Sequence, residues 1–152
     1  MPTYDSQFVF YDAFAVTSKD GTIDIDTDTI KVALFTSSYT PSASSDTQYG
    51  SLTNEVANAN GYTTGGATIT NTAMTQTGGA GKFDGDDVTW TASGGSIVAR
   101  YWVMYSDTAT NKDLIAYGLI DYNDLDVTTT DTYTLTISWN SSGIFTVAMF
   151  DA

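Results

Sequence analysis

The sequence predicts an all-β domain: a β-sandwich of about eight mostly antiparallel strands with a short N-terminal helix. Three observations carry this. Residues 133–139 alternate without a break: Tyr133, Leu135, Ile137 and Trp139 share one side, and Thr134, Thr136 and Ser138 the other. That is the pattern of a strand with one dry and one wet face. Further apolar segments recur along the chain with turn residues between them, the spacing expected of a sandwich. The composition also favours strand and turn. Thr, Ser, Gly and Asp abound, and Glu occurs once, at Glu55.

Taken in order, residues 7–18 offer two readings. Phe8, Tyr11, Phe14 and Ala15 line one face of a helix, whereas Phe8-Val-Phe10 also suits a strand. The helix is preferred, ended by Lys19-Asp-Gly21 with Gly21 as its C-cap. Residues 22–28 alternate Ile with acid in a strand-like run. Residues 30–35 form a strong strand. Residues 36–50, rich in Ser and Thr, read as a long exposed loop, and 51–57 as one or two helical turns with Ser51 as N-cap. A Gly- and Asn-rich turn over 58–66 precedes a strand over 67–75. Gly78-Gly-Ala-Gly81 is a turn, Val88-Thr-Trp90 a strand, and Gly94-Gly95 another turn. Residues 96–105 read as one central strand, with Ile97, Tyr101, Val103 and Tyr105 on one face and Val98, Trp102 and Met104 on the other. Residues 114–120 are again apolar on both sides. Residues 121–131 are an acidic, Thr-rich connection between sheets. Asn140-Ser-Ser-Gly143 between two apolar runs predicts a closing hairpin.

At 152 residues the chain is expected to be one domain, 1–152, with 1–20 as a contact arm for an oligomer or a larger assembly. Eighteen acids against five bases give a net charge of −13. Such a surface repels phosphate, so nucleic acid is not an expected partner. With no cysteine there is no disulfide or thiolate chemistry, and with no histidine the commonest general base and metal ligand are missing. No apolar run approaches the length of a membrane span, and the start lacks the pattern of a signal peptide, so neither a membrane nor signal-directed export is expected.

Three acidic groups are candidate calcium sites: Asp24, Asp26 and Asp28; Asp84, Asp86 and Asp87; and Asp121, Asp124 and Asp126. None has the spacing of a full calcium loop, and a solvated face or turn explains each one. Paired carboxylates could hydrolyse glycosides, but so many acids make some pair inevitable. Serines have no histidine to activate them. Ser–Lys pairs through Lys19, Lys31, Lys82 or Lys112 remain formal options, and neither a nucleophile elbow nor a phosphate loop occurs. The expectation is no enzyme, no cofactor and no metal. Arg100, the only arginine, either pairs with an Asp or touches a partner subunit. Tyr39, Tyr49 and Tyr62 sit in polar stretches and are expected to be exposed, adhesive side chains for protein or sugar. The aromatic N-terminal stretch, with Tyr4, Phe8, Phe10, Tyr11 and Phe14, is the leading contact candidate.

Several segments together carry a resemblance. They are Thr29-Ile-Lys-Val-Ala-Leu-Phe-Thr-Ser-Ser-Tyr-Thr-Pro41, Glu55-Val, Gly61-Tyr-Thr-Thr-Gly-Gly-Ala67 and Asp87-Val-Thr-Trp90. Ile97-Val-Ala-Arg-Tyr101, Tyr105-Ser-Asp107, Leu114-Ile-Ala-Tyr117 and Thr136-Ile-Ser-Trp139 through Gly143-Ile144 continue the series. In this order they resemble small β-sandwich virion proteins of tailed bacteriophages, such as capsid decoration or cement proteins. The resemblance covers roughly residues 30–147. It implies a structural protein on the capsid exterior, made in the host cytoplasm, bound to the major capsid protein, and homo-oligomeric with a trimer favoured. It supplies no catalytic residues. A tail, baseplate or fibre component, or a glycan-binding sandwich, is the alternative.

Overall fold

A computed structural model describes residues 8–148, and its architecture is all-β. A five-stranded antiparallel sheet has the order β1 (Val9–Phe10), β9 (Leu114–Leu119), β8 (Tyr101–Ser106), β2 (Ile30–Phe35) and β3 (Ala67–Thr68). Three smaller antiparallel groups complete the fold. They are β4 (Ala73–Thr77) with β5 (Ala80–Asp84) and β12 (Phe145–Ala148); β6 (Val88–Thr91) with β11 (Thr134–Ile137); and β7 (Ile97–Ala99) with β10 (Val127–Thr129). Eight of these strands have four residues or more, and the other four are two or three residues long.

Alternation along β2 and β8 divides the interior in two. Ile30, Val32, Leu34, Trp102 and Met104 face one core, shared with Phe83, Val88, Trp90, Leu135, Ile137 and Phe145 of the smaller groups. Ala33, Phe35, Val103 and Tyr105 face a second core on the opposite side of the sheet. The central strands are therefore apolar on both faces because both faces are covered.

The cover of the second core corrects the sequence reading. Residues 36–50 are only in part the exposed loop expected. They fold back over the sheet, and Tyr39 is buried there while Tyr49 packs half-buried beside it. The turn between residues 51 and 57 is also displaced. A 3-10 turn spans Tyr49–Ser51, and Glu55 instead makes a single β-bridge to Phe35.

Both readings of the N-terminal stretch hold in part. Val9–Phe10 is an edge strand on β9, and the helix α1 is only Phe14–Thr17. Ser18 is its C-cap, so Gly21 (φ 82°) closes a later turn and does not cap the helix. Residues 25–27 form a turn where a strand was expected: the Asp28 amide donates to the Asp24 carbonyl at 2.8 Å. The strand expected over 67–75 is two strands, β3 and β4, belonging to different sheets.

Arg100 breaks the expected central strand. Its amide donates to the Phe35 carbonyl at 2.8 Å and its carbonyl accepts from Ile120 at 2.9 Å, while β7 leaves to pair with β10. The alternation slips by one residue there. Ile97 and Ala99 therefore share a core with Trp102 and Met104, not with Val103 and Tyr105.

The closing hairpin is also corrected. The turn forms, with Gly143 at φ 113° and its amide donating to the Asn140 carbonyl. However, β11 pairs with β6 and β12 pairs with β5, so the turn hands the chain from one strand group to the next. Tyr133, expected on the dry face with Leu135, is 69% exposed because it precedes the paired residues.

Candidate functional site

The tyrosines expected at the surface lie inside, held by two carboxylates. Tyr11 and Tyr39 meet hydroxyl to hydroxyl at 2.9 Å, and Tyr39 donates to Asp46 Oδ2 at 2.8 Å. Since Tyr39 gives its one proton to Asp46, Tyr11 is the donor to Tyr39. The second cluster centres on Glu55. Its carboxylate accepts from the Tyr49 hydroxyl, from the Tyr62 hydroxyl at 2.6 Å and from the Gly65 amide at 2.7 Å. Tyr62 in turn accepts from the Leu34 amide at 2.9 Å. Burial raises the pKa of Tyr11, Tyr39, Tyr49, Tyr62 and Tyr105 well above the ordinary phenol value, and the neighbouring carboxylates raise Tyr39, Tyr49 and Tyr62 further. Tyr11, Tyr39 and Tyr62 are not surface contacts, because each fills core volume and satisfies a fold-internal hydrogen bond. Glu55 stands out in the sequence only as the one glutamate and in a Glu55-Val pair, with no role attached, and Asp46 not at all, since a lone acid carries no periodicity.

Arg100 takes the paired alternative: its Nε lies 2.8 Å from Asp126 Oδ1, with Asp124 at 3.6 Å from a terminal nitrogen. The acidic groups are likewise engaged locally. Asp86 accepts from Thr70 and Asn71, Asp87 from the Trp139 amide, and Asp84 pairs with Lys82. Asp26 accepts from the Met74 amide and Asp24 from the Asp26 amide. Among the described residues no three acidic side chains gather as a metal cluster.

The sheets end at β1 and β12, as they do at β3 and β4. Among the described residues β1 pairs only with β9, and β12 only with β5, so each leaves one edge unpaired. Aromatic rings line the seam. Phe10 stacks on Phe14 at 5.5 Å and meets Phe145 edge-on at 5.1 Å, and Phe8 continues the row to Trp102 at 5.3 Å. Phe14 is buried by this packing, which corrects its place as a contact residue, whereas Phe10 remains 39% exposed. A groove of about 470 Å³ runs beside it, lined by Phe10, Phe14, Ala15, Lys19, Val147 and Ala148. Beyond Phe8 a second cavity of about 250 Å³ is lined by Trp102, Ile120, Ile137 and Trp139. Of the contact residues expected from sequence, Phe8 and Phe10 thus come together here, and Tyr4 lies outside the described residues. The sequence reading missed Val147, whose exposure follows from its placement on an edge strand.

Comparison with known proteins adds no relative: no family model, curated protein or solved structure matches the chain. Fold and geometry together define a sandwich-like all-β architecture with an aromatic-lined groove beside β1 and β12.

Proposed function

We propose that this chain is a structural protein of a tailed-bacteriophage particle, bound to the outside of the capsid shell and self-associated through its open aromatic edge. The observation that carries the reading is that edge. Phe10 and Val147 face solvent beside an apolar groove and two strand edges that are unpaired among the described residues, in a chain of net charge −13. Exposed apolar strand edges invite pairing, and soluble proteins keep them only where something covers them. The occupant proposed is a second copy of the chain. Its β1 or β12 edge carries the same apolar residues, so two copies are complementary about a closed rotation axis. Attachment to the major capsid protein rests on the ordered motif resemblance between residues 30 and 147. Bound protein would favour the assembled shell by mass action.

The test is the mass of the purified protein in solution, followed by its binding to undecorated capsids. The expected results are a stable oligomer and saturation at hundreds of copies per particle. A monomer that leaves capsids bare would overturn the proposal. Saturation at a few copies would favour a tail or baseplate position instead.

A further inference from the structure

Phe8, the first of the described residues, lines a cleft made of two adjoining cavities. The first, of about 250 Å³, is lined by Leu119 and Ile120 and by Thr136, Ile137 and Trp139. The second, of about 410 Å³, is lined by Ile120, Tyr122 and Val127 and by Thr134, Leu135 and Thr136 of β11. Ile120 and Thr136 line both, so the cavities meet there. The strands beside the cleft have open edges. Among the described residues β10 pairs only with β7, and β11 only with β6. β1 meets β9 at Ala116 and Tyr117 alone, which leaves Gly118 and Leu119 without a ladder partner on that side. Unpaired backbone groups beside half-buried apolar side chains such as Leu119, Ile120 and Trp139 make a seat for one more strand.

The register of β1 says which strand. The pairing with β9 is antiparallel, with Val9 opposite Tyr117 and Phe10 opposite Ala116. Each step back along β1 is therefore a step forward along β9. Phe8 falls against Gly118, and Gln7 against Leu119, the last residue of β9. Residues before Gln7 are directed past Ile120 toward Tyr122, along one wall of the second cavity. Four residues of strand span about 13 Å, and β11 on the other wall is also four residues long. The alternation fits as well. Phe8 and Phe10 both pack on Phe145, so in a continuing strand Ser6 and Tyr4 share their side, and Asp5 and Gln7 take the other. No charged side chain lines the first cavity, and Asp121 is the one acid lining the second. Tyr4 and Ser6, uncharged and able to hydrogen-bond, match walls that mix apolar side chains with threonine.

We infer that residues 4–7 continue β1 and dock in this cleft on their own chain, with Gln7 beside Leu119 and Tyr4 over the second cavity. A second copy is the other source of such a strand. Phe8 already lies at the cleft of its own chain, however, so the docked segment has no gap between molecules to cross. Docking there extends β1 lengthwise and leaves its outer edge free for contact between copies. The inference is independent of attachment to a capsid.

The chain has no cysteine, so a pair can be introduced without background. Ser6→Cys is combined with Thr136→Cys, an exposed position that lines both cavities. A control combines Ser6→Cys with Thr75→Cys, exposed on β4. Both proteins are treated with a short bismaleimide in dilute solution, after dichroism has shown that they fold. The cleft pair should form a link within one chain at least about tenfold faster than the control, because docking raises the effective concentration of one thiol at the other. Equal rates, or no link, would overturn the proposal. A link joining two chains would overturn it too, and would assign the cleft to a second copy. Tyr4→Ser gives an independent reading. It should lower Tm by about 3 °C, and an unchanged Tm would show that Tyr4 does not cover the cavity.

Discussion

The Tyr49 ring lies flat on the Tyr105 ring, centroids 4.3 Å apart and planes within 9°. One tyrosine comes from the covering segment and the other from the central strand β8. This contact closes the second core, and it brings the Tyr49 hydroxyl to Glu55. The single glutamate therefore clamps the cover to the sheet through Tyr49, Tyr62 and the Gly65 amide.

Replacing Glu55 with alanine should be among the most damaging changes to this surface. It strands the Tyr62 hydroxyl, on a residue only 2% exposed, and the Gly65 amide without an acceptor. Losing a charged acceptor for several donors costs about 3 kcal/mol, against about 1 kcal/mol for Tyr49→Phe, which removes one donor. Urea unfolding of the two variants measures the difference. Equal losses would show that Glu55 is not the clamp.

The buried phenols set the response to alkali. In the folded state Tyr11, Tyr39, Tyr49, Tyr62 and Tyr105 have pKa values raised above the ordinary value near 10, at which they titrate when unfolded. A raised folded pKa gives stability that is fully present below the unfolded pKa. It is lost as pH climbs from there toward the folded value, because only the unfolded chain releases its protons. Stability should therefore be flat through neutral pH and fall steeply above about pH 10. The phenolate absorbance of these five should appear together with the loss of near-ultraviolet dichroism. Gradual ionisation of all tyrosines before unfolding would contradict their burial.

How much of this was legible follows from period and reach. The alternation of β2, β8, β9 and β11 was readable because each side chain's face depends on its immediate neighbours. Tyr39 and Tyr62 were misplaced because their neighbours are polar. Tyr39 is buried on the outer face of the sheet and Tyr62 in the inner core beside Trp90, and neither placement shows in the residues next to it in sequence. The register slip at Arg100 was invisible for a related reason. Apolar residues stand on both sides of the slip, so either phase of the alternation looked satisfactory. The turn at Asn140–Gly143 was recognised from local chemistry, yet the strand it feeds pairs elsewhere, which local chemistry does not determine. Glu55 and Asp46 meet partners that are near in sequence, but through irregular turns, and no regular period places an acid against them.

Gly66 is the position where backbone conformation is most tightly constrained. It has φ 72°, and a Cβ there would stand 1.9 Å from the Val32 carbonyl oxygen and 2.6 Å from the Ala33 Cα. Neither obstacle is a side chain that can swing away. Gly66→Ala should cost about 3 kcal/mol or more. Gly79 also has a positive φ, 84°, but nothing lies near its would-be Cβ, and it closes the tight β4–β5 turn. Asparagine is at home in such turns, so Gly79→Asn should change stability by less than about 1 kcal/mol. Thermal melts of the pair separate crowding from conformation, and similar losses in both would show that φ alone decides.

The open edge gives the cleanest test of self-association, because Val147 can be changed without emptying the core. It is 36% exposed, it lines the groove, and its cross-strand partner on β5 is Gly81, which offers no side chain to lose. Val147→Asp should therefore leave the monomer's stability within about 1 kcal/mol of wild type. In an assembled copy the same carboxylate would be buried against a second apolar edge, and Lys19 in the groove would offset only part of a desolvation cost of several kcal/mol. The expected result is an unchanged dichroism spectrum together with a fall in solution mass to that of one chain. Phe10→Asp should dissociate the oligomer as well, but with a larger loss of fold stability, because that ring also packs on Phe14 and Phe145. If light scattering shows Val147→Asp still assembled, the contact between copies lies elsewhere. The groove would then be free to seat the capsid itself, and saturation of undecorated particles by the variant measures that directly.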